Sequence, residues 1–354
     1  MQGFGQPGSL RDHQVPCGPI INEIAASVGV AEETCATAIK LLKGEPIMTD
    51  NVTNQKIPPF ATGAIATYRD RILSGDLAKR ISTGIPELDD LIGGGLISAL
   101  YVLMSTPGAG KTTLMHQMMD NVIKAGHIAI IVDLDIGPEL SFCKALSRHS
   151  NYVMGNDYAL SAKEVMELSR ANGGEITLLT LFDEYSSTAD KLVVVEAEHL
   201  TSPDSLMAIT KHFCKEGEPT PVLFVDYLQF YARFFSEEND KRAVDAAIKS
   251  IQRVVKELQV PVVLISSVNR DSYNKKHLTL GSAKESGSIE YDGDYVIAML
   301  TKDEKETCSD LRKVNLELLK GRICPNATIE LTMDGAHNIF YGEVQNVQSN
   351  RKWL

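Results

Sequence analysis

Six short apolar runs alternate with amphipathic stretches from Ser82 onward, and this alternation limits the possible folds more than any other feature. The runs are ALYVLMS (99–105), HIAIIVDL (127–134), KLVVVEA (191–197), PVLFVDYL (221–228), PVVLISS (261–267) and DYVIAML (294–300). Such runs are typical of strands buried on both faces of a parallel sheet. Apolar residues also recur every three or four positions over 243–258, which predicts a helix with one buried face. The chain is therefore predicted to have an α/β fold with a mostly parallel sheet.

The segment STPGAGKTTL (105–114) follows the first run and precedes the helical pattern TLMHQMMDNVIKA. A strand, a Gly-rich turn and a helix in this order are the context of a phosphate-binding loop, in which backbone N–H groups surround a phosphate. Lys111 can reach the outer phosphates, and the Thr112 hydroxyl can bind Mg²⁺. Ser105 stands where the strict motif has Gly, but a small residue suffices there. The predicted nucleotide-binding residues are Ser105, Thr106, Pro107, Gly108, Ala109, Gly110, Lys111, Thr112 and Thr113.

Three carboxylates lie at the ends of apolar runs and are candidates for metal binding and catalysis. Asp226 ends the core of the fourth run, where it can hold Mg²⁺ through the water shell of the ion. Asp133 and Asp135 are two residues apart at the end of the second run, so we predict that they point to the same face. Either carboxylate could orient an attacking water, or could stabilise the N-terminus of the next helix through its negative charge. We favour catalysis for Asp135 and leave both roles open for Asp133.

Two cations occur late in the chain, in the segment LLKGRICPN. Because Lys320 and Arg322 alternate, we predict that they share one face of a strand. One interpretation is a solvated sheet edge. The other is that they reach the γ-phosphate bound by a neighbouring subunit, as an arginine finger does.

The N-terminal part of the chain differs in pattern from the rest. Residues 1–63 are predicted to hold a flexible arm, a small helical region over 20–43 and a linker rich in Pro, Asn and Thr. Two packed helices are favoured over a helix-turn-helix for 20–43. Residues 64–80 are predicted to carry a lone linker helix. The α/β domain then covers 81–345, and 346–354 form a tail.

Composition excludes several classes of protein. No run of about 18 apolar residues occurs, so a membrane span is not expected, and the first residues lack the apolar core of a signal peptide. The six cysteines are scattered without a CxxC pair, which favours reduced thiols in the cytoplasm. The net charge of −11 argues against general electrostatic capture of nucleic acid, although local basic loops can still bind phosphates.

Several segments together resemble one known family. In chain order they are STGIPELDDLIGGGL, STPGAGKTTL, VDLDIGPEL, VDYLQF, VPVVLISSVNRD, AKESGSIEYDGD and LLKGR. They resemble the RecA-like motor domain of DnaB-type replicative helicases, over roughly residues 64–340. ESGSIEYDGD, preceded by SSVNRD, is the most specific part. The resemblance implies a RecA-like P-loop NTPase core that hydrolyses ATP with Mg²⁺, forms a hexameric ring and moves 5′–3′ on single-stranded DNA.

The resemblance also implies roles for particular residues. Lys111 and Thr112 match the phosphate-binding lysine and the Mg²⁺ ligand, and Asp226 matches the second metal-binding carboxylate. Asp135 occupies the place of the catalytic glutamate of the family. Lys320 and Arg322 match the pair that contacts the γ-phosphate of the adjacent subunit, and residues 64–77 match the linker helix that docks on that subunit. A primase or a helicase loader is an implied partner, in the cytoplasm of a bacterial or phage-infected cell.

Three departures from the family pattern accompany this resemblance. Asp135 is one methylene shorter than the usual glutamate, which draws the carboxylate back by about 1.5 Å. Ser267 stands where the family usually has Gln. The region before the motor domain is also shorter than the helical collar of the family. These departures keep two alternatives open: a nucleotide-gated assembly or loading factor, and a RecA-like or RadA-like repair ATPase with weak or no unwinding.

Contacts with DNA are expected from basic loops that face a central channel. The segments FFSEENDKR (234–242) and NRDSYNKKH (269–277) are the candidates, and a solvated loop is an equal alternative for each. The predicted DNA-binding residues are Lys241, Arg242, Arg270, Lys275 and Lys276.

Overall fold

The computed structural model divides the chain into two compact units, residues 1–76 and residues 77–354. In the first unit, residues 65, 68–70, 72 and 73 are helical, within the segment predicted to be a lone helix. The predicted arm, the helical region 20–43, the linker 44–63 and the tail 346–354 lie outside the described residues. The structure describes residues 65, 68–70, 72–75, 79–155, 157–235, 237–273, 275, 277–284, 286–301 and 311–342.

The second unit is built on one nine-stranded sheet with the order β3-β2-β4-β5-β1-β6-β7-β8-β9. The strands β1 to β6 are parallel and correspond to the six apolar runs, while β7 to β9 extend the sheet as an antiparallel edge. The predicted α/β fold with a mostly parallel sheet is therefore confirmed. The strands are β1 (Leu100–Ser105), β2 (Ala129–Asp133), β3 (Leu192–Val195), β4 (Val222–Asp226), β5 (Val262–Ser267), β6 (Tyr295–Thr301), β7 (Leu311–Lys320), β8 (Thr328–Asp334) and β9 (Ile339–Tyr341).

Helices connect the parallel strands and cover both faces of the sheet. They are α1 (Pro86–Leu91), α2 (Lys111–Lys124), α3 (Pro138–Met154), α4 (Ala162–Glu167), α5 (Gly174–Thr188), α6 (Ser205–Phe213), α7 (Leu228–Tyr231), α8 (Asp240–Leu258) and α9 (Ser286–Asp292). Short 3₁₀ turns lie at 168–170, 197–199, 232–234, 270–272 and 280–282. Within the described residues, no helix is both long and apolar enough to cross a lipid bilayer.

The central strand β1 separates two hydrophobic cores because successive side chains of a strand point to opposite faces. Tyr101 and Leu103 pack in the core that contains α2. Val102 and Met104 pack in the core that contains α8, with the apolar face predicted for 243–258. All six residues of β1 are buried. The loop that follows β1 is thus carried by a strand held from both sides.

Candidate active site

The loop between β1 and α2 has the backbone geometry of a phosphate cradle. Gly108 and Gly110 have φ angles of 79° and 92°, which side chains rarely adopt. A Cβ on Gly110 would lie 2.6 Å from Sδ of Met333 and 2.9 Å from Cζ of Phe340, so only glycine allows β8 and β9 to pack this closely. A Cβ on Gly108 would meet nothing within 4 Å. The Gly108 side of the loop is therefore open to a ligand, next to the positive end of the α2 dipole.

Lys111 is held against this loop by three oxygen acceptors. Its Nζ donates to the Ser105 carbonyl at 3.1 Å, to the Ser105 hydroxyl at 2.8 Å and to the Thr106 carbonyl at 3.2 Å. Burial lowers the pKa of Lys111 to about 8, although Asp226 and Asp135 oppose the shift. An anionic phosphate would favour the charged ammonium and could replace these acceptors. Ser105 therefore gives Lys111 a hydroxyl partner that the glycine of the strict motif cannot provide.

Thr112 and Asp226 form the second part of the site. The Thr112 hydroxyl donates to Oδ2 of Asp226 at 2.7 Å, across 114 positions of the sequence. Asp226 is the last residue of β4 and is only 1% exposed. Burial raises its pKa to about 7; the Thr112 hydrogen bond and Lys111 oppose this, and Asp133 and Asp135 add to it. A hydroxyl and a buried carboxylate are the oxygen ligands that Mg²⁺ prefers, so these residues fit such an ion.

Asp133 and Asp135 differ in their exposure to solvent. The strand β2 ends at Asp133, and the alternation of a strand does not extend to Asp135. The Asp133 side chain is 7% exposed, and burial raises its pKa against the effect of the Ser141 hydroxyl and the N–H groups of Ile136 and Asp135. Asp135 is exposed to solvent. Asp133 thus packs at the turn before α3 and Asp135 is exposed, but both line one cavity and both raise the pKa of Asp226.

Lys320 and Arg322 do not share a strand face, because β7 ends at Lys320 and Arg322 lies in the turn that follows. Nζ of Lys320 donates to the carbonyl of Glu290 at 2.7 Å. The Arg322 guanidinium pairs with the buried carboxylate of Asp294, which also accepts the N–H of Leu100 at 2.8 Å. The prediction of a common strand face failed because the chain leaves the sheet one residue after Lys320.

This basic pair lies near the amino ends of the parallel strands, whereas the loop lies at their carboxyl ends. We call these two ends the amino edge and the carboxyl edge. Lys320 is opposite Val296 of β6, and Tyr295 is opposite Tyr101, near the amino end of β1. The loop begins at the carboxyl end of β1, about 17 Å away for five residues of strand. Lys320 and Arg322 therefore cannot serve the loop of their own chain without a large rearrangement.

The comparisons with known proteins place this site in a family. The family model "DnaB-like helicase C terminal domain" matches residues 80–341, which include the loop, Asp226, Asp135 and the basic pair. The chain belongs to this family. It is 26% identical over 304 residues to "Replicative DNA helicase DnaB" of Treponema pallidum (strain Nichols), covering 85% of this chain and 64% of that protein. To the protein of the same name from Buchnera aphidicola subsp. Acyrthosiphon pisum (strain APS) it is 25% identical over 267 residues, covering 72% and 54%.

A solved structure supports the same fold. It is described as "The Structure Of A DnaB-Like Replicative Helicase And Its Interactions With Primase", and it aligns with a TM-score of 0.65 at 19% identity. The alignment covers 92% of this chain and 75% of that one. The RecA-like architecture expected from the motifs is thereby confirmed. The chain spans less than two thirds of the length of each of these two curated relatives.

In this DnaB-like domain, four of the five predicted DNA-binding residues are described, and they lie in the segments that follow β4 and β5. Lys241 and Arg242 are in the first turn of α8 rather than in a loop, and the Arg242 guanidinium pairs with Glu238. The helix begins there because the Asn239 side chain accepts the N–H of Arg242 at 3.0 Å. The remaining candidates lie after β5: Arg270 in a 3₁₀ turn, Lys275 exposed beyond it, and Lys276 outside the described residues.

Gln229 lies close to the candidate site and was not among the residues predicted from the sequence. It lies in α7, three residues after Asp226, and its amide makes two long hydrogen bonds to the end of β5. Nε2 donates to the Ser266 hydroxyl at 3.4 Å, and Oε1 accepts the N–H of Ser267 at 3.5 Å. Gln229 thus lies beside Ser267, the position where the family usually has Gln. The signal was present in VDYLQF, but only the parallel pairing of β4 with β5 brings the two segments together.

Proposed function

We propose that this chain is the motor part of an ATP-driven replicative DNA helicase that works as a hexameric ring on single-stranded DNA. The observation that carries the proposal is the 2.7 Å bond from the Thr112 hydroxyl to Asp226, beside a Lys111 held on the loop. This arrangement joins phosphate-binding and metal-binding groups from distant segments. Together with membership of the family, it supports ATP and Mg²⁺ as the cofactors.

Each group at the carboxyl edge has a role in the proposed hydrolysis. Lys111 binds the outer phosphates, while Thr112 and Asp226 would hold the Mg²⁺ that neutralises phosphate charge. Asp135 orients the attacking water, since it is exposed and lies near enough to Lys111 to oppose the lowering of the Lys111 pKa by burial. Its shorter side chain predicts slower hydrolysis than a glutamate would give, because a misplacement of about 1 Å can cost roughly 100-fold in rate.

The opposite edge of the sheet is proposed to act on a neighbouring copy. The side chain of Arg322 is 63% exposed while it pairs with Asp294, so it is accessible from outside the chain. Lys320 and Arg322 would complete the loop of the next subunit and stabilise charge on the γ-phosphate. This proposal requires that the active sites lie between subunits, as a ring provides.

The helical segment before the motor domain is proposed to hold the ring together. Ile65, Tyr68, Ile72 and Leu73 recur at helical spacing and are 60% to 76% exposed. An apolar face of this kind is typical of a helix that docks on a partner. We propose that it docks on the adjacent subunit of the ring.

DNA, partners and location complete the proposal. Lys241, Arg242, Arg270, Lys275 and Lys276 would contact the DNA backbone, with Arg242 exchanging its Glu238 partner for phosphate. A primase or a helicase loader is the proposed protein partner, because a solved relative is described with its primase interactions. The proposed location is the cytoplasm of a bacterial or phage-infected cell.

The deciding experiment measures ATP hydrolysis with and without single-stranded DNA, and unwinding of a forked duplex, by the full chain. We expect hydrolysis that DNA stimulates, unwinding that depends on ATP, and loss of both in Lys111→Ala. DNA-stimulated hydrolysis without any unwinding would instead support an assembly or loading factor. Strand exchange between homologous duplexes would support a repair ATPase, and either result would overturn the helicase proposal.

A further inference from the structure

A cavity of about 330 Å³ lies beside the proposed active site and shares Asp135 with it, whereas the rest of its lining has no role in the proposed chemistry. It is half open to solvent and is bounded by the ends of β2 and β3 and by the helices α2, α3 and α5. One wall is the segment 133–137, which carries Asp135. The volume is in the range of sites that bind small organic molecules.

Two buried polar atoms in the lining lack a hydrogen-bond partner among the described residues. They are Nε2 of His116 and Oδ1 of Asp133. His116 is only 2% exposed, and its Nε2 is 4.0 Å from the other carboxylate oxygen of Asp133, too far for a hydrogen bond. Burial lowers the pKa of His116 to about 3, so the imidazole is neutral and can accept a hydrogen bond. Buried polar atoms without partners are rare, and a bound ligand would provide partners for both.

The charges around the cavity favour a cation. Its lining contains the carboxylates of Asp133, Asp135 and Glu196, and the described residues that line it include no lysine or arginine. Nearby cations are engaged or lie outside the lining: Arg148 pairs with Asp120, and Lys111 donates to its own loop. Lys144 also lies outside the lining, although it and Arg148 contribute to the low pKa of His116. A positively charged ligand would be attracted to the three carboxylates.

The rest of the wall is apolar. Met119 and Phe142 come from α2 and α3, and Leu192 and Val194 come from the edge strand β3. Such a wall favours a ligand whose body is hydrophobic, with the polar groups concentrated at one end.

We propose that this cavity binds a small organic cation, with a flat apolar body along Phe142 and Val194 and a donor head between His116 and Asp133. The head donates to Nε2 of His116 and to Oδ1 of Asp133, the two atoms that lack partners. Because the ligand lies against the segment that carries Asp135, its binding slows ATP hydrolysis without displacing the nucleotide. This last effect rests on the proposed function, whereas binding itself does not.

Three molecules of nearly equal shape test the binding. Benzamidine is a cation at neutral pH, benzamide is neutral and benzoate is an anion. In calorimetric titrations of the full chain without nucleotide, we expect benzamidine to bind roughly tenfold more tightly than benzamide, the difference typical of a charge-assisted hydrogen bond. Benzoate should not bind. Equal binding of benzamidine and benzamide would overturn the proposal.

Two variants locate the site. Val194→Phe adds bulk from a strand edge where the side chain is already partly exposed, so it should fill the cavity, leave the fold intact and remove benzamidine binding. Glu196→Gln should weaken binding several-fold. Its matched control is Glu198→Gln, an exposed acid of the same segment that does not line the cavity. Unchanged binding in Val194→Phe, or equal weakening by the two glutamine variants, would place benzamidine elsewhere and overturn the assignment.

A separate measurement tests the effect on hydrolysis. Saturating benzamidine should lower kcat for ATP and leave KM unchanged in the wild-type chain, and should have no effect in Val194→Phe. Binding without a change in kcat would reject the link to Asp135 and keep the site. A chain that binds benzamidine but does not hydrolyse ATP under any condition would contradict the proposed function alone.

Discussion

The carboxyl edge and the amino edge of the parallel strands carry different candidate residues, and the two sets differ in how far a single chain assembles them. At the carboxyl edge, Lys111, Thr112 and Asp226 are already in contact with their partners. At the amino edge, Lys320 contacts the backbone of α9 and Arg322 contacts the carboxylate of Asp294, far from any phosphate-binding group. The carboxyl set is therefore assembled by folding, whereas the amino set is proposed to act in a neighbouring subunit.

The largest effect is expected at the carboxyl edge. Lys111→Ala removes the ammonium that neutralises phosphate charge, so ATP hydrolysis should fall by about 1000-fold or more. The matched control is Lys211→Ala, since Lys211 is an exposed lysine of α6, away from the loop. Steady-state release of phosphate measures both. Substantial hydrolysis by Lys111→Ala would show that the loop is not the catalytic centre.

A loss of ATP hydrolysis of nearly that size is expected when Arg322 at the amino edge is replaced. Arg322→Ala should lower kcat by about 1000-fold while nucleotide binding and ring size are kept, because the arginine acts on charge that develops during transfer. Arg253→Ala, which removes an exposed arginine of α8, is the matched control. Size-exclusion chromatography with light scattering checks the ring.

Mixed rings separate action within a chain from action between chains. Rings of Arg322→Ala subunits alone and rings of Lys111→Ala subunits alone should be inactive. Where the two kinds of subunit meet, the Arg322→Ala subunit supplies an intact loop and the Lys111→Ala subunit supplies an intact arginine. Mixing them should therefore restore part of the hydrolysis. An active Arg322→Ala chain, or mixed rings without any recovery, would contradict the proposal that the two edges belong to different subunits in one site.

A gain in the rate of ATP hydrolysis is expected from lengthening Asp135, the remaining group of the carboxyl edge. Asp135→Glu lengthens the side chain by one methylene and should raise kcat by up to about 100-fold, because it moves the carboxylate toward the water. Asp133→Glu is the control, and it should not raise the rate, since Asp133 is packed at the turn before α3. If Asp135→Glu instead lost activity, the site would be adapted to aspartate.

A different kind of effect is expected on stability without Mg²⁺. The pKa of Asp226 is raised to about 7, so its protonated form is favoured in the fold. Its contribution to stability is fully present below about pH 4 and is lost as the pH rises to about 7. Relative to wild type, Asp226→Asn should therefore gain about 4 kcal/mol in free energy of unfolding over this interval. Urea unfolding in EDTA measures the difference in free energy of unfolding between Asp226→Asn and wild type. A difference that does not change with pH would contradict the raised pKa of Asp226.

Local sequence patterns predicted most of the carboxyl edge. The six apolar runs became the six parallel strands, and the Gly-rich turn became the loop, because these features depend on burial and on short backbone segments. The expectation that Lys320 and Arg322 share a strand face failed for one reason. Arg322 lies just past the end of β7, and alternation cannot tell where the chain leaves a sheet.

The sequence by itself determined the α/β class, the phosphate cradle and the family, because each is encoded in residues close together or in ordered motifs. Only the tertiary structure decided which distant groups meet. It brought the Thr112 hydroxyl to Asp226, and it placed Gln229 beside Ser267 through the pairing of β4 with β5. It also separated Arg322 from its own loop by the length of β1. The physical reason is that the order and direction of the strands set these distances, and they arise from packing across the whole sheet.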